Sequence, residues 1–214
     1  DLNGDGVCDA ISRALWGHVN LFDGKTKKVD YFANLRGGLV RWEVLTGANG
    51  RGPQLLVASE NGLGLYDAAI REERLTDGWD EAPDEDALLI EPRSKRARWE
   101  HHFLSPVAAM VRWPAAHAIL WAHPTGVIGR VGPDGKRLPN ILVADRLIDL
   151  APAPSAAGER LVANTGRELI FLDPELKATS RLPIANDGMR ILPGGREAIL
   201  WRNTGQLMKT ALEK

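Results

Sequence analysis

The chain has 214 residues, 44% of them hydrophobic, which is enough for a packed core and argues against wholesale disorder. Its 27 Lys and Arg residues nearly balance its 28 Asp and Glu residues. Nucleic acid and anionic membranes are therefore not expected as main partners, because both favour a strong basic excess. No apolar run is long enough to span a membrane, and the single cysteine, Cys8, excludes an intrachain disulfide.

The chain opens with a loop, residues 1–9, in which oxygen-bearing side chains alternate with glycines and apolar residues. Calcium needs about six to eight oxygen ligands, and a short, tightly wrapped loop can bring them to one centre. The expected ligands are the side chains of Asp1, Asn3, Asp5 and Asp9 and the main-chain carbonyl of Val7. An EF-hand starts in the same way but requires a glutamate at its twelfth position, where this chain has Ser12. The pattern therefore predicts a calcium loop that is not an EF-hand.

This loop and the two residues after it, Ala10 and Ile11, resemble the FG-GAP repeat, also called VCBS-like, of integrin-type β-propellers. The resemblance extends through Asp23. It implies calcium binding by Asp1, Asn3, Asp5, Val7 and Asp9, in a loop between the first and second strands of a blade. It also implies that the first strand of this blade precedes Asp1, so we expect the chain to be a piece of a longer protein or assembly.

A pattern of two apolar runs joined by a glycine-containing turn recurs along the whole chain. The turn glycines are Gly17, Gly62, Gly126, Gly166 and Gly205, which gives spacings of 45, 64, 40 and 39 residues. Three of these spacings match the roughly 40–45 residues of a four-stranded propeller blade. The runs are short, rich in branched and aromatic residues and bounded by turn residues, as strands are. We therefore predict a single all-β domain over residues 1–214: a β-propeller of about five blades, or a fragment of a larger one.

The long spacing contains a charged segment at about residues 76–105 that we interpret as an insertion between blades or an extra hairpin. Short helices are predicted only here and just before it, over residues 67–75 and 87–99. The segment has an acidic part, a basic part and two tryptophans. Because aromatic and arginine side chains are enriched at interface anchors, Trp79, Arg96 and Trp99 are predicted to contact a partner. Trp121 and Trp201 follow equivalent apolar runs and are predicted to pack between blades.

These features favour a non-enzymatic, calcium-binding interaction module with a protein or carbohydrate partner. Weak single-loop calcium sites suit millimolar calcium, which predicts an extracellular, cell-surface or periplasmic location. Two alternatives stay open at this stage. One is a glycoside-cleaving enzyme with carboxylates about 5–10 Å apart at the central channel. The other is a sugar-binding propeller lectin with tryptophan and aspartate pockets between blades.

Overall fold

The computed structural model describes residues 1–2, 5–13, 18–27, 29–34, 39–45, 54–67, 97–104, 106–114, 117–155 and 158–212. These residues form eighteen β-strands in five antiparallel sheets and contain no α-helix. Residues 97–99 belong to a strand, so the helix predicted over residues 87–99 is wrong at that end. The rest of that prediction, and residues 68–75 of the other predicted helix, lie outside the described residues.

Residues 1–104 form one compact unit with two sheets. Sheet 1 has the order β1-β2-β3, and sheet 2 has the order β4-β5-β6-β7. The strands of sheet 1 are β1 (Ala10–Arg13), β2 (His18–Phe22) and β3 (Val29–Asn34). Those of sheet 2 are β4 (Leu39–Leu45), β5 (Gln54–Ser59), β6 (Gly62–Asp67) and β7 (Ala97–His102). Strand β7 lies within the predicted insertion, at residues 76–105, and forms the fourth strand of sheet 2.

The two sheets of this unit pack face to face through one apolar cluster. Val19 and Leu21 of β2 contribute from sheet 1, and Leu55 and Val57 of β5 contribute from sheet 2. Leu2, from the opening loop, is buried in the same cluster. The start of the opening loop is therefore packed into the core of this unit.

Residues 105–214 form a second compact unit with three sheets. Sheet 3 has β8 (Ala109–Trp113), β9 (Ala118–Ala122), β10 (Val127–Val131) and β11 (Arg137–Leu142). Sheet 4 has β12 (Asp149–Ser155), β13 (Gly158–Asn164), β14 (Glu168–Leu172) and β15 (Ala178–Pro183). Sheet 5 has β16 (Gly188–Ile191), β17 (Glu197–Trp201) and β18 (Leu207–Ala211). Neighbours in sequence pair antiparallel within each sheet.

The three sheets of this unit stack in chain order. One apolar cluster joins sheet 3 to sheet 4 and includes Leu120, Leu150 and Leu161. A second apolar cluster, on the opposite face of sheet 4, joins sheet 4 to sheet 5 and includes Phe171 and Leu200. The first strand of sheet 4, β12, packs against the first strands of its neighbours, β8 and β16. Stacked antiparallel sheets whose first strands adjoin are the arrangement expected of propeller blades.

Four of the five predicted turn glycines are described, and they lie at the turns of the repeat. Gly126, Gly166 and Gly205 each stand between the second and third strands of a sheet, with φ values of 87°, 85° and 85°. This left-handed region is accessible to glycine without strain. Gly62 begins β6, and Gly17 lies outside the described residues.

Candidate metal loop and partner surface

The described part of the opening loop is held by its own aspartates. The carboxylate of Asp1 accepts hydrogen bonds from the main-chain N–H groups of Asp5 (3.1 Å) and Gly6 (3.0 Å). The carboxylate of Asp5 accepts one from Val7 (2.8 Å). Gly6 has a φ of 82°, which lets the chain turn back toward Asp1. The predicted tight wrap therefore exists at these residues, with acidic oxygens on its inner side.

Asp9 ties the loop to the rest of sheet 1. One of its carboxylate oxygens accepts the N–H of Leu2 (2.5 Å), and the other accepts the N–H of Gly24 (3.0 Å). Gly24 follows β2, and a Cβ atom built on it would overlap the carbonyl oxygen of Cys8. The loop and the turn between β2 and β3 are thus in backbone contact, and only glycine fits at position 24.

The donor set suits calcium by its chemistry, because it consists of hard oxygen ligands. In the described conformation, however, Asp1, Asp5 and Asp9 accept N–H bonds from the loop and its surroundings. Among the residues whose placement is described, no three His, Cys, Asp or Glu side chains are arranged to hold a metal ion. Asn3 lies outside the described residues.

The predicted partner residues are only partly covered by the structure. Trp79 and Arg96 lie outside the described residues. Trp99 is on β7, the outer strand of sheet 2, where it pairs with Leu65 and is half-buried. Its ring lies 5.6 Å from the ring of His101, with an interplanar angle of 38°. Trp99 is thus on an edge strand, beside a register shift between Leu65 and Tyr66, and its side chain is partly exposed.

Beside it, Arg98 donates a hydrogen bond through Nε to Asp67 Oδ1 at 2.6 Å. Asp67 is the last residue of β6, and Arg98 is the second residue of β7. This ion pair joins the end of β6 to the start of β7. It therefore helps to keep Trp99 in register with β6.

Two tryptophans predicted to pack between blades share a local geometry but differ in burial. A Cβ atom on Gly129 would overlap the indole of Trp121, and one on Gly188 would overlap the indole of Trp201. Each tryptophan therefore covers a glycine on the neighbouring strand. Trp121 is 5% exposed, as predicted, but Trp201 is 37% exposed.

The prediction that Trp201 packs between blades is wrong. Its neighbour Leu200 faces sheet 4, and successive strand residues point to opposite faces, so Trp201 lies on the other face of sheet 5. Sequence reasoning also missed two tryptophans. Trp113 is fully buried and donates its indole N–H to the carbonyl of Pro174 at 3.4 Å, whereas Trp42 is nearly half exposed.

No family model and no curated protein matches this chain. Solved structures do resemble it. The crystal structure of BBS1N in complex with ARL6DN, soaked with mercury, has a TM-score of 0.61 and 10% identity, and the match covers 97% of this chain and 65% of that one. The same complex soaked with lead gives a TM-score of 0.63 and 11% identity, covering 99% of this chain and 62% of that one. The chain thus spans a little under two-thirds of the length of these neighbours.

The likeness concerns fold, since identity is 10–11%. The matched neighbour is the β-propeller domain at the N-terminus of BBS1. No helix within the described ranges is long and apolar enough to cross a membrane. The five antiparallel sheets, stacked in chain order within each unit, are therefore blades, and the chain has the all-β fold of a β-propeller of about five blades or a fragment of a larger one.

Proposed function

We propose that this chain is a non-enzymatic protein-interaction module whose opening loop binds calcium. The observation that carries the interaction role is the likeness to BBS1N, a propeller domain crystallised in complex with another protein, ARL6DN. The fold supports such a role because rigid blades present loops and edge strands as binding surfaces. The FG-GAP-like residues of the loop support the calcium role.

For calcium, the proposed ligands are the side chains of Asp1, Asn3, Asp5 and Asp9 and the carbonyl of Val7. The ion would supply positive charge at the centre of the loop and offset the repulsion among its carboxylates. This chain's own residues then fix the loop on sheet 1, through the contact of Asp9 with Gly24 and the burial of Leu2. A site of this kind suits the millimolar calcium outside the cytosol, and we propose that location for the protein.

Melting with calcium or with chelator tests this site. A dissociation constant of about 10⁻⁴–10⁻³ M means that roughly 10 mM calcium stabilises the fold by about 1.4–2.7 kcal/mol. Asp5→Asn keeps a carbonyl oxygen for the N–H of Val7 but removes one charge, so it is expected to abolish most of the calcium-dependent rise in Tm. Asp134→Asn is the matched control, because Asp134 accepts a main-chain N–H in a turn elsewhere. Identical melting with calcium and with chelator would contradict the proposal.

For the partner surface, we propose Trp79, Arg96 and Trp99. Trp99 supports this choice because it is a half-buried aromatic on an edge strand beside an exposed ion pair. Trp99→Ala is expected to remove specific partners from affinity captures while changing the unfolding free energy little. Trp201→Ala removes an accessible tryptophan in another unit and serves as the control. Capture of the same proteins by the wild type and Trp99→Ala chains would rule out this surface.

A further inference from the structure

The turn between β2 and β3, residues 23–27, touches the opening loop through Gly24. The N–H of Gly24 donates to Asp9 Oδ1 at 3.0 Å. A Cβ atom on Gly24 would overlap the carbonyl oxygen of Cys8 and crowd Cγ1 of Val7. Gly24 is therefore in direct contact with one proposed calcium ligand, Asp9, and with the residue that supplies another, Val7.

Lys27 holds the other end of this turn by two bonds. Its main-chain N–H donates to the carbonyl of Asp23 at 3.0 Å, and its ammonium group donates to the carbonyl of Gly24 at 2.5 Å. Its φ is 61°, in the left-handed region that is unfavourable for a residue with a Cβ atom. Such a residue persists only where its surroundings hold it. The contacts of Lys27 therefore fix the conformation of the turn.

The rest of the turn is held without a lysine side chain. Asp23 is 8% exposed, and its Oδ1 accepts the N–H groups of Lys25 and Thr26 at 2.8 Å each. The side chain of Lys25 is exposed. Gly24 differs from these residues because it is held at both of its peptide groups, by Asp9 at the N–H and by Lys27 at the carbonyl.

A carboxylate that binds a metal ion is oriented by the hydrogen bonds that its remaining lone pairs accept. The N–H of Gly24 is such a partner for Asp9. A ligand that is already held in one orientation loses less freedom when the ion binds, so it contributes more to affinity. Firm placement of Gly24 should therefore favour calcium.

We propose that Lys27 is a positioning residue for calcium: its ammonium group fixes Gly24, and Gly24 in turn orients the carboxylate of Asp9. This inference rests on the proposed calcium site and adds to it a residue from outside the loop. The charge of Lys27 acts in the opposite direction, because a positive group near the loop disfavours a cation. Lys27 is exposed, so water and salt screen that repulsion, whereas the hydrogen bonds through Gly24 are direct. The net effect of Lys27 is tighter calcium binding.

Calorimetric titration of the 214-residue chain with calcium tests this assignment, because positioning and charge predict opposite signs. Lys27→Met keeps a long side chain without a donor, and it is expected to raise the Kd for calcium about threefold to tenfold. This is less than the roughly 10–100-fold loss typical of a partner that bonds the ligand directly. Lys25→Met removes the same charge from the same turn and should bind calcium as tightly as the wild type or slightly more tightly. Lys27→Arg restores a donor and should bind like the wild type.

The amide of Gly24 gives a second readout, since its hydrogen exchange should be faster in Lys27→Met than in Lys25→Met. Melting in chelator separates positioning from stability, because Lys27→Met should melt close to the wild type. If it melts lower, Lys27→Gly gives the same comparison without the unfavourable φ.

Two results would overturn the role of Lys27 alone. One is calcium binding by Lys27→Met that is as tight as that of the wild type or tighter, and the other is an equal loss of affinity in Lys25→Met. A wild-type chain that binds no calcium would refute the proposed site, and this inference with it. The failure of the site and the failure of the positioning role are thus distinguishable.

Discussion

Strand β4 in residues 1–104 and strand β16 in residues 105–214 hold the same place in their sheets, but their apolar side chains differ in exposure. Met189 of β16 is buried against sheet 4, whereas Trp42 of β4 is nearly half exposed. Met189 and Trp42 each pair with an apolar residue on the second strand of their sheet. The difference in exposure therefore lies in the neighbouring sheet, since β16 packs against β12, the first strand of sheet 4. Burial in stacked blades is therefore decided by the adjacent blade as much as by the strand itself.

The largest effect is expected from the two tryptophans that cover glycines. Trp121→Ala should lower the unfolding free energy by about 3–5 kcal/mol, because a fully packed indole leaves a cavity. Trp201→Ala should cost roughly half of that or less, since part of its surface already contacts water. Urea unfolding of both variants measures the difference. Equal losses would show that the contact with glycine, rather than the exposed fraction of the indole, determines the contribution of these side chains.

The next effect tests β16 against β4 directly. Met189→Ala should cost about 2–5 kcal/mol, as expected for a buried methionine. Trp42→Ala should cost about 1 kcal/mol or less, although the side chain removed is larger, because little of its burial comes from a neighbouring strand. Denaturation midpoints of the two single variants give the comparison. A larger loss for Trp42→Ala would mean that β4 is covered in solution.

The smallest effect concerns the ion pairs that join third and fourth strands. Arg98 bonds Asp67 between β6 and β7, and Arg181 bonds Glu168 between β14 and β15. All four side chains are at least a quarter exposed, so each pair should contribute only about 0.2–1 kcal/mol. Arg98→Met and Arg181→Met should give similar small losses that shrink at high salt, as screening requires. A loss several times larger for Arg98→Met would assign this pair a role in holding β7 to its sheet.

The sequence was sufficient to predict one pair of neighbouring strands in each sheet. Gly126, Gly166 and Gly205 have the positive φ values that the repeat required, and the apolar runs around them are paired strands. Such turns are local, since their conformation depends on one residue that tolerates the left-handed region. The same locality made residues 1–9 recognisable as an acidic wrapped loop, and Asp1 and Asp5 do hold it by hydrogen bonds to its own backbone.

What the sequence could not predict depends on contacts distant along the chain. Trp121 and Trp201 follow the same Ile-Leu pair, so no local pattern distinguishes the buried side chain from the exposed one. Strand β7 was placed in an insertion because 29 residues separate it from β6, its partner in the sheet. The exposure of Trp42 likewise has no local signal in the sequence, because it depends on the packing of sheet 2 against sheet 1.

The most direct test of the central claim follows the main-chain amides while calcium is added to the 214-residue chain. The acidic loop lies entirely in residues 1–104, and residues 105–214 form a second compact unit. We predict one ion per chain, with shifts concentrated at Leu2, Gly6, Val7 and Gly24, whose N–H groups bond the loop's aspartates. No shift up to about 10 mM calcium, or shifts of similar size throughout residues 105–214, would contradict the account.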